Sequence, residues 1–564
     1  MPRLDDFALR TRIAYFSMEI AIRPEMRTYS GGLGILAGDT ARSSADLGLP
    51  IAFVTLASHE GYLRQEIDAE GWQHAQPDPW AIADWAEPLD AVIAVRIEGR
   101  PVWIRPWLHA LTSKTGHSVP VILLDTRLPQ NSPEDRTITD RLYGGDSAYR
   151  LKQEIVLGIG GEQILHALGF RIRIYHLNEG HAALLAVSLL RRNPVRKMRG
   201  AGSGLLYEAE AVRQQCAFTT HTPVEVGHDK FSYEEVERHL GGFMEIAQLK
   251  LLAGDDRLNM TRLALNLSGF VNGVALRHAE TARKMFPDHN IQAITNGVHG
   301  PTWAHPALQP LFDRLAPGWE LDPLRLSFLD QAGNEELWEA HKEAKAELIR
   351  QVEMISGVRL DPALPILSFA RRMTAYKRPL LLLSDPARLR QIAARTPFQI
   401  VMAGKAHPHD SGGRNAVHEI HRCIRELAGA VPMVFLPNYG WRLGHAMVSG
   451  SDLWLNTPMP PLEASGTSGM KAALNGVLNF SVLDGWWGEA WMEGVTGWAI
   501  GQDGGGDAEH RNELYDKLER VILPLWYGDR ARWLWMMKQS ISKIGTRFSS
   551  HTMMRRYASE AYLR

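Results

Sequence analysis

The residues Leu364-Pro365-Ile366-Leu367-Ser368-Phe369-Ala370 run directly into Arg371-Arg372-Met373-Thr374-Ala375-Tyr376-Lys377-Arg378 and decide the fold. A short apolar run that stops at a cluster of charge reads as a buried strand with polar residues at its carboxyl end. The pattern recurs at 398–404, 433–439, 452–458 and 477–484, with helical stretches between. Such alternation predicts a parallel sheet covered on both faces. Similar runs stand earlier in the chain, at 13–17, 51–55, 121–125, 172–178 and 216–221. The expected fold class is α/β, with two doubly wound Rossmann-like domains facing a cleft.

A seam separates the two series. After Asn296-Gly297, prolines at 301, 306, 310, 317 and 323 punctuate a stretch that no single helix or strand could span. The expected domains are 1–300, 301–528 and a closing helical segment, 529–564. Asn334 is positioned to cap a helix whose buried face is Leu337, Ala344, Leu348, Val352 and Ile355, and which Gly357 ends. In the last segment Trp533, Met537, Ile541 and Ile544 share one helical face that must bury against the body.

Composition narrows the classes of function. The 564 residues carry 62 Lys+Arg against 63 Asp+Glu, so no bulk field draws in nucleic acid or an anionic membrane. Cys216 and Cys423 are the only cysteines, which excludes a disulfide scaffold. The opening residues, Met-Pro-Arg-Leu-Asp-Asp-Phe, are too acidic for a secretory peptide, and no window approaches a membrane helix. A cytoplasmic protein is expected. Tryptophan, at 17, outnumbers phenylalanine at 16; core packing is the plain explanation, although indole faces also suit sugar rings. His176 and His181 stand five apart with no further ligands nominated, so no metal is expected.

Ligands of open parallel sheets sit beyond the carboxyl ends of the strands. The unusual polar residues collect there. Ser465-Gly466-Thr467-Ser468-Gly469 leads into a helix carrying Lys471, and small residues before a helix start expose backbone N–H groups to an anion. The sequence matches neither a Walker A loop nor a dinucleotide fingerprint. Arg371, Arg372, Lys377 and Arg378 would ordinarily form a solvated face; at a strand's carboxyl end beside such a cradle, phosphate binding is the better reading. Tyr29-Ser-Gly31-Gly32-Leu-Gly34 is a second turn that a ligand could approach closely. No local pattern nominates a glycosidase carboxylate pair.

Several segments together resemble the α-glucan (glycogen/maltodextrin) phosphorylases, in the shorter prokaryotic branch. They are Tyr15-Phe-Ser-Met-Glu-Ile, Tyr29-Ser-Gly-Gly-Leu-Gly, Tyr143-Gly-Gly-Asp, Asn178-Glu-Gly-His, Thr219-Thr-His-Thr-Pro and Ile294-Thr-Asn-Gly-Val-His. Phe369-Ala-Arg-Arg, Gly404-Lys-Ala-His and Glu463-Ala-Ser-Gly-Thr-Ser-Gly-Met-Lys continue the match in the family's order. The resemblance implies a GT-B fold and retaining phosphorolysis of an α-1,4-glucan by inorganic phosphate. It implies pyridoxal 5′-phosphate held covalently through Lys471, its phosphate met by Arg371, Lys377 and Thr467, with Tyr376 and Ser468 in the same surroundings. Arg372, Gly466 and the Gly31-Gly32 turn are implied for the substrate phosphate. His221, Asn296, Glu463 and Ser465 are implied for the glucosyl hydroxyls. Lys471, Arg372, Lys377 and His221 are the implied catalytic set, and a homodimer is the candidate assembly.

The chain is shorter than muscle-type phosphorylases and begins almost at the first strand, so control by an N-terminal regulatory region is not expected. Pro458-Met459-Pro460-Pro461 lacks arginines common in the family. Two other functions share parts of this pattern: a GT-B glucan synthase using a nucleotide sugar, and a catalytically silent glucan-binding protein. The synthase would have no use for Lys471 as a cofactor anchor, and the presence of Arg372, Lys377 and Lys471 together argues against the silent protein.

Overall fold

Each apolar run named above contains a strand in the computed structural model, which describes residues 4–195, 204–502 and 505–563. The first sheet holds β1 (Ile13–Phe16), β2 (Ile51–Leu56), β3 (Arg100–Thr112), β4 (Ser118–Asp125), β5 (Ile174–Asn178), β6 (Cys216–Thr219), β7 (Phe270–Gly273) and β8 (Ile291–Ala293). Its order is β8-β7-β6-β5-β1-β2-β4-β3, and two short antiparallel strands on β3 bring the count to ten. From β8 to β4 every pairing is parallel.

The second sheet holds β9 (Ile366–Ala370), β10 (Gln399–Ala403), β11 (Met433–Leu436), β12 (Leu453–Asn456), β13 (Leu478–Val482) and β14 (Gly497–Ile500). Its order is β11-β10-β9-β12-β13-β14, parallel throughout. Nearly every residue in these strands is buried, because helices cover both faces. Strand order reverses at β1/β5 in the first sheet and at β9/β12 in the second. The two crevices that bind ligands in such sheets therefore open beyond those pairs. The expected doubly wound α/β fold, of the GT-B type, is the fold observed.

Most strands are shorter than the apolar runs, although β2 and β4 outlast theirs. The run at 433–439 stops pairing at Leu436, since Pro437 has no N–H to donate and Asn438 turns left-handed at φ 58°. The antiparallel hairpin on the first sheet and strands β7, β8 and β14 have no counterpart among the sequence runs.

Helix α1 (Gly32–Asp46) follows the glycine turn, and α2 (Asn334–Ser356) follows the proline-rich seam. Two expectations for α2 are corrected. Gly333, not Asn334, is the N-cap; Asn334 lies inside the first turn, and its Oδ1 accepts from Lys538 Nζ at 3.0 Å. Ile355 is 41% exposed, because the helix is leaving the core at Gly357, while Leu337, Ala344, Leu348 and Val352 stay buried. Gly357 closes α2 at φ 72° as expected.

Beyond residue 529 the chain forms α3 (Arg530–Ser540) and α4 (Ser550–Tyr557). Trp533, Met537, Ile541 and Ile544 are all buried in the second core. Helix α4 crosses to the first sheet, where Met553, Met554 and Tyr557 complete one face of its core. Asp46 Oδ2 accepts from His299 at 2.8 Å and from His551 at 2.9 Å, tying α1, the seam and α4 together. Trp319, Trp454, Trp487, Trp498, Trp526 and Trp533 are among the largest fully buried side chains, so most of the tryptophan excess goes to packing. No helix among the described residues is long and apolar enough to cross a membrane.

Candidate active site

The carboxyl edges of the two sheets face each other, bridged by Tyr143 O with His407 Nε2 at 3.4 Å and by Arg277 with Asp484 at 3.4 Å. On the second half, β9 ends at Ala370 and delivers Arg371 into the crevice. Arg371 Nη2 lies 2.8 Å from Glu463 Oε2, and Lys377 Nζ donates to the same oxygen. All three side chains are buried. Two buried cations hold Glu463 ionised, its carboxyl shifted down despite its burial. Asp484 positions this acid by accepting its backbone N–H at 2.8 Å. Burial lifts the Asp484 carboxyl to about 6, with Glu463 adding to the rise.

Gly466 sits at φ 91°, and a Cβ there would stand 3.5 Å from both Arg371 Nη2 and the Glu463 carboxyl. Only glycine adopts this backbone readily while leaving the face of the arginine open. Thr467 caps the short helix Ser468–Leu474 without a side-chain bond. Ser468 Oγ accepts from Trp454 Nε1 at 3.2 Å. Lys471 is buried at 7% exposure with Nζ 4.0 Å from the Trp303 ring centroid. No carboxylate lies within ion-pair range of it among the described residues. Desolvation pushes its ammonium down to about 8, with Asp39 opposing and Arg42 assisting. Tyr376 stacks beneath Lys377 at 4.5 Å, and Arg372 remains exposed between Tyr376 and Tyr62.

On the first half the glycine turn is fastened from behind. Buried Glu19 accepts from Ser30 N at 2.6 Å, Gly31 N at 3.2 Å and Tyr143 OH at 2.9 Å. The Gly31 amide is therefore committed to Glu19, while that of Gly32 opens α1. A Cβ at Gly31 or Gly32 would meet nothing within 4 Å, so the space before the turn is free of protein. At Gly34 a Cβ would stand 2.5 Å from Glu19, so that glycine is demanded by packing.

Beyond β5 and β6, His221 Nε2 lies 2.7 Å from Asn178 Oδ1, and Glu179 accepts the His221 N–H at 2.7 Å. Since the amide oxygen only accepts, the imidazole proton sits on Nε2. Burial holds the ring neutral, its pKa down to about 3. Asn296 Oδ1 and Ser465 Oγ are buried without a hydrogen-bond partner among the described residues. Both atoms are thus free to meet a hydroxyl, as are several other buried polar atoms elsewhere in the molecule, Ser44 Oγ and Trp526 Nε1 among them.

The structure brings Arg371, Lys377, Gly466 and Glu463 together, with Tyr376 and Arg372 adjoining, as an anion side, whereas the residues implied for a hydroxyl side, His221, Asn296 and Ser465, come from three separate loops. Arg378 is not open to a phosphate: its guanidinium donates to the Thr457 and Pro458 carbonyls and to Asp507. His176 and His181 do not converge: the first bonds Tyr562 and Thr219, the second pairs with Asp229. Glu19, Trp303 and Asp484 were given no role from the sequence. Glu19 carried a signal, a lone acid between Met18 and Ile20 immediately past a strand. Trp303, one of 17, carried none.

A family profile described as carbohydrate phosphorylase matches residues 224–489. The maltodextrin phosphorylase of Thermococcus litoralis is 39% identical, aligned with 98% of this chain and 70% of its own. The glycogen phosphorylase of Mycobacterium bovis is 36% identical, with 98% and 71% covered. That of Aquifex aeolicus is 32% identical, with 98% and 86% covered.

Proposed function

Because this chain belongs to the carbohydrate phosphorylase family, we propose that it cleaves an α-1,4-glucan with inorganic phosphate, releasing glucose 1-phosphate with retention at the anomeric carbon. The observation that carries this reading is the charge imbalance of the anion side. Arg371 and Lys377 share one carboxylate oxygen, and Lys471 has none in range. Buried cations without matching acids call for an anionic ligand.

The donor set fits pyridoxal 5′-phosphate, with a partly neutral buried amine at Lys471 for its aldehyde and Arg371, Lys377 and Thr467 for its phosphate. When bound, that group supplies a phosphate able to exchange a proton with the substrate phosphate. The chain's own residues do the rest. Arg372 offers a planar fork to the substrate phosphate, and the Gly32 amide at the start of α1 faces the same anion. Held together by these cations, two phosphates can sit in contact without prohibitive repulsion. His221, as a neutral ring, and the free polar atoms of Asn296 and Ser465 orient the glucosyl hydroxyls. Within this reading, 1–300 is the glucosyl side, 301–528 the cofactor side, 529–564 the closing segment, and the setting is the cytoplasm.

Incubation with maltodextrin and phosphate tests the reading through release of glucose 1-phosphate. The expected result is phosphate-dependent product in protein that carries a pyridoxal chromophore. Product formed only from a nucleotide sugar would instead establish the synthase, and binding of glucan without turnover the silent protein.

A further inference from the structure

A short hairpin, Arg64–Ile67 paired with Gln73–Gln76, belongs by sequence to the first half of the chain. Its two buried side chains bond chiefly to the second half. Gln65 Nε2 donates to Gly404 O at 2.9 Å and to Gln73 Oε1 at 2.8 Å, while Gln65 Oε1 accepts from Asn438 N at 3.0 Å. The Gln65 backbone N–H returns the bond to Asn438 Oδ1 at 2.6 Å. Gln73 pairs with the peptide of Ala406 in both senses, accepting its N–H at 3.0 Å and donating to its carbonyl at 2.8 Å. Outside these bonds, Lys405 Nζ donates to Leu63 O at 2.8 Å, and Trp72 stacks on His418 at 4.0 Å.

The loop gripped in this way is the one that holds the arginine pair. Lys405 O accepts from Met373 N at 2.9 Å, and Ala403 O accepts from Arg371 N at 3.2 Å. A Cβ on Gly404 would stand 1.9 Å from Arg371 O, so the loop lies directly against that backbone. Arg372 is thus fastened on both sides to a loop whose other edge is bonded to the first half.

We propose that Gln65 and Gln73 are positioning residues that set Arg372 through the Gly404–Ala406 loop, so that phosphate binding and docking of the hairpin across the cleft are coupled. The proposal rests on Arg372 being the seat of the substrate phosphate. Coupling of this kind is reciprocal: what the hairpin does for phosphate, phosphate does for the hairpin.

Two measurements on the holoenzyme test it. In Gln65→Ala and Gln73→Ala, loss of three buried bonds in each variant raises the phosphate KM about tenfold, with kcat at saturating phosphate within about twofold. A purely structural role would lower melting temperature and leave phosphate KM unchanged, and that outcome overturns the proposal. The second measurement needs no variant. In the wild-type protein, inorganic phosphate should slow hydrogen exchange at the Gln65 and Asn438 amides severalfold. Unchanged exchange under saturating phosphate, in protein that does make glucose 1-phosphate, also overturns it. Failure to form glucose 1-phosphate at all counts against the proposed function, not against the hairpin's grip on the loop.

Discussion

Lys471 is the residue whose chemistry can be read most directly from its surroundings. Burial over Trp303 brings its ammonium from 10.5 to about 8. At pH 7 roughly one-tenth of such amines are neutral, against about three in ten thousand for an exposed lysine, a gain of about 300-fold in nucleophile. Protein stripped of cofactor and mixed with pyridoxal 5′-phosphate should develop its chromophore about tenfold faster per pH unit between 6 and 7.5, levelling above 8. Trp303→Ala lets water reach the ammonium and releases Asp39 from the indole N–H it accepts at 2.8 Å. Both changes favour the charged form and outweigh the lost attraction of the ammonium to the indole face, about 0.5–2 kcal/mol, so the pKa climbs back toward its ordinary value and the rate at pH 7 falls by about an order of magnitude. The cavity left by the indole costs about 3–5 kcal/mol, so the comparison belongs well below the melting temperature of the variant. Capture that ignores pH from 6 to 9, or runs as fast in Trp303→Ala, refutes the reasoning. So does a borohydride-fixed label on another lysine.

Two further predictions concern stability. Glu463→Gln leaves Arg371 and Lys377 buried without their shared anion, a loss of about 3–5 kcal/mol; calorimetry of cofactor-free protein should show the melting temperature falling by roughly 3–4 °C, partly recovered by inorganic phosphate, and an unchanged melting temperature would show that the pair contributes nothing. His176 is buried and neutral, its pKa down to about 3. Since the unfolded chain takes up a proton at about 6.5 that the folded chain refuses, its contribution to stability is whole above that pH and is lost as pH falls toward 3. Denaturant titrations should register up to about 1.4 kcal/mol per pH unit from this one ring, and His176→Asn should flatten the slope.

The sequence exposes the anion side far better than the hydroxyl side, for a physical reason. Arg371, Arg372, Tyr376 and Lys377 leave one strand end, and Gly466, Thr467 and Lys471 leave the next, so contiguous motifs carry the chemistry. The residues implied for the hydroxyls are scattered, His221 past β6, Asn296 past β8 and Ser465 in the second half, so no contiguous motif can carry them. Glu463 is implied by resemblance for the sugar, and its contact with two buried cations adds something no motif foretells; charge balance in a buried space is not a property of spacing along a chain. Helix α2 shows the same limit locally. Its buried stripe and its glycine stop were legible, but the cap fell one residue early, because Asn334 could serve equally as cap or as first-turn residue until Lys538 claimed its side chain. The hairpin at 64–76 has no signature in the sequence, since its buried glutamines look like surface residues until the second half supplies their partners.

Burial of Lys471 also weighs against the synthase. A folded-state pKa of about 8 against 10.5 means that at neutral pH the native protein carries a cost of about 3 kcal/mol for keeping this ammonium out of water. A buried lysine with a structural role spends its ammonium on a fixed acceptor, as Lys345 does on Asp452 at 2.8 Å and Lys405 on the Leu63 carbonyl at 2.8 Å in the same half of the molecule. Lys471 has an indole face instead, and methionine would fill the same space without the penalty. The arrangement is economical only if the charge is removed in the working protein. Capture of the amine by an aldehyde removes it, and the positive surplus of Arg371 and Lys377 then faces the phosphate that the same molecule brings. A nucleotide sugar offers phosphates but no carbonyl for the amine, so it would leave the cost of Lys471 standing.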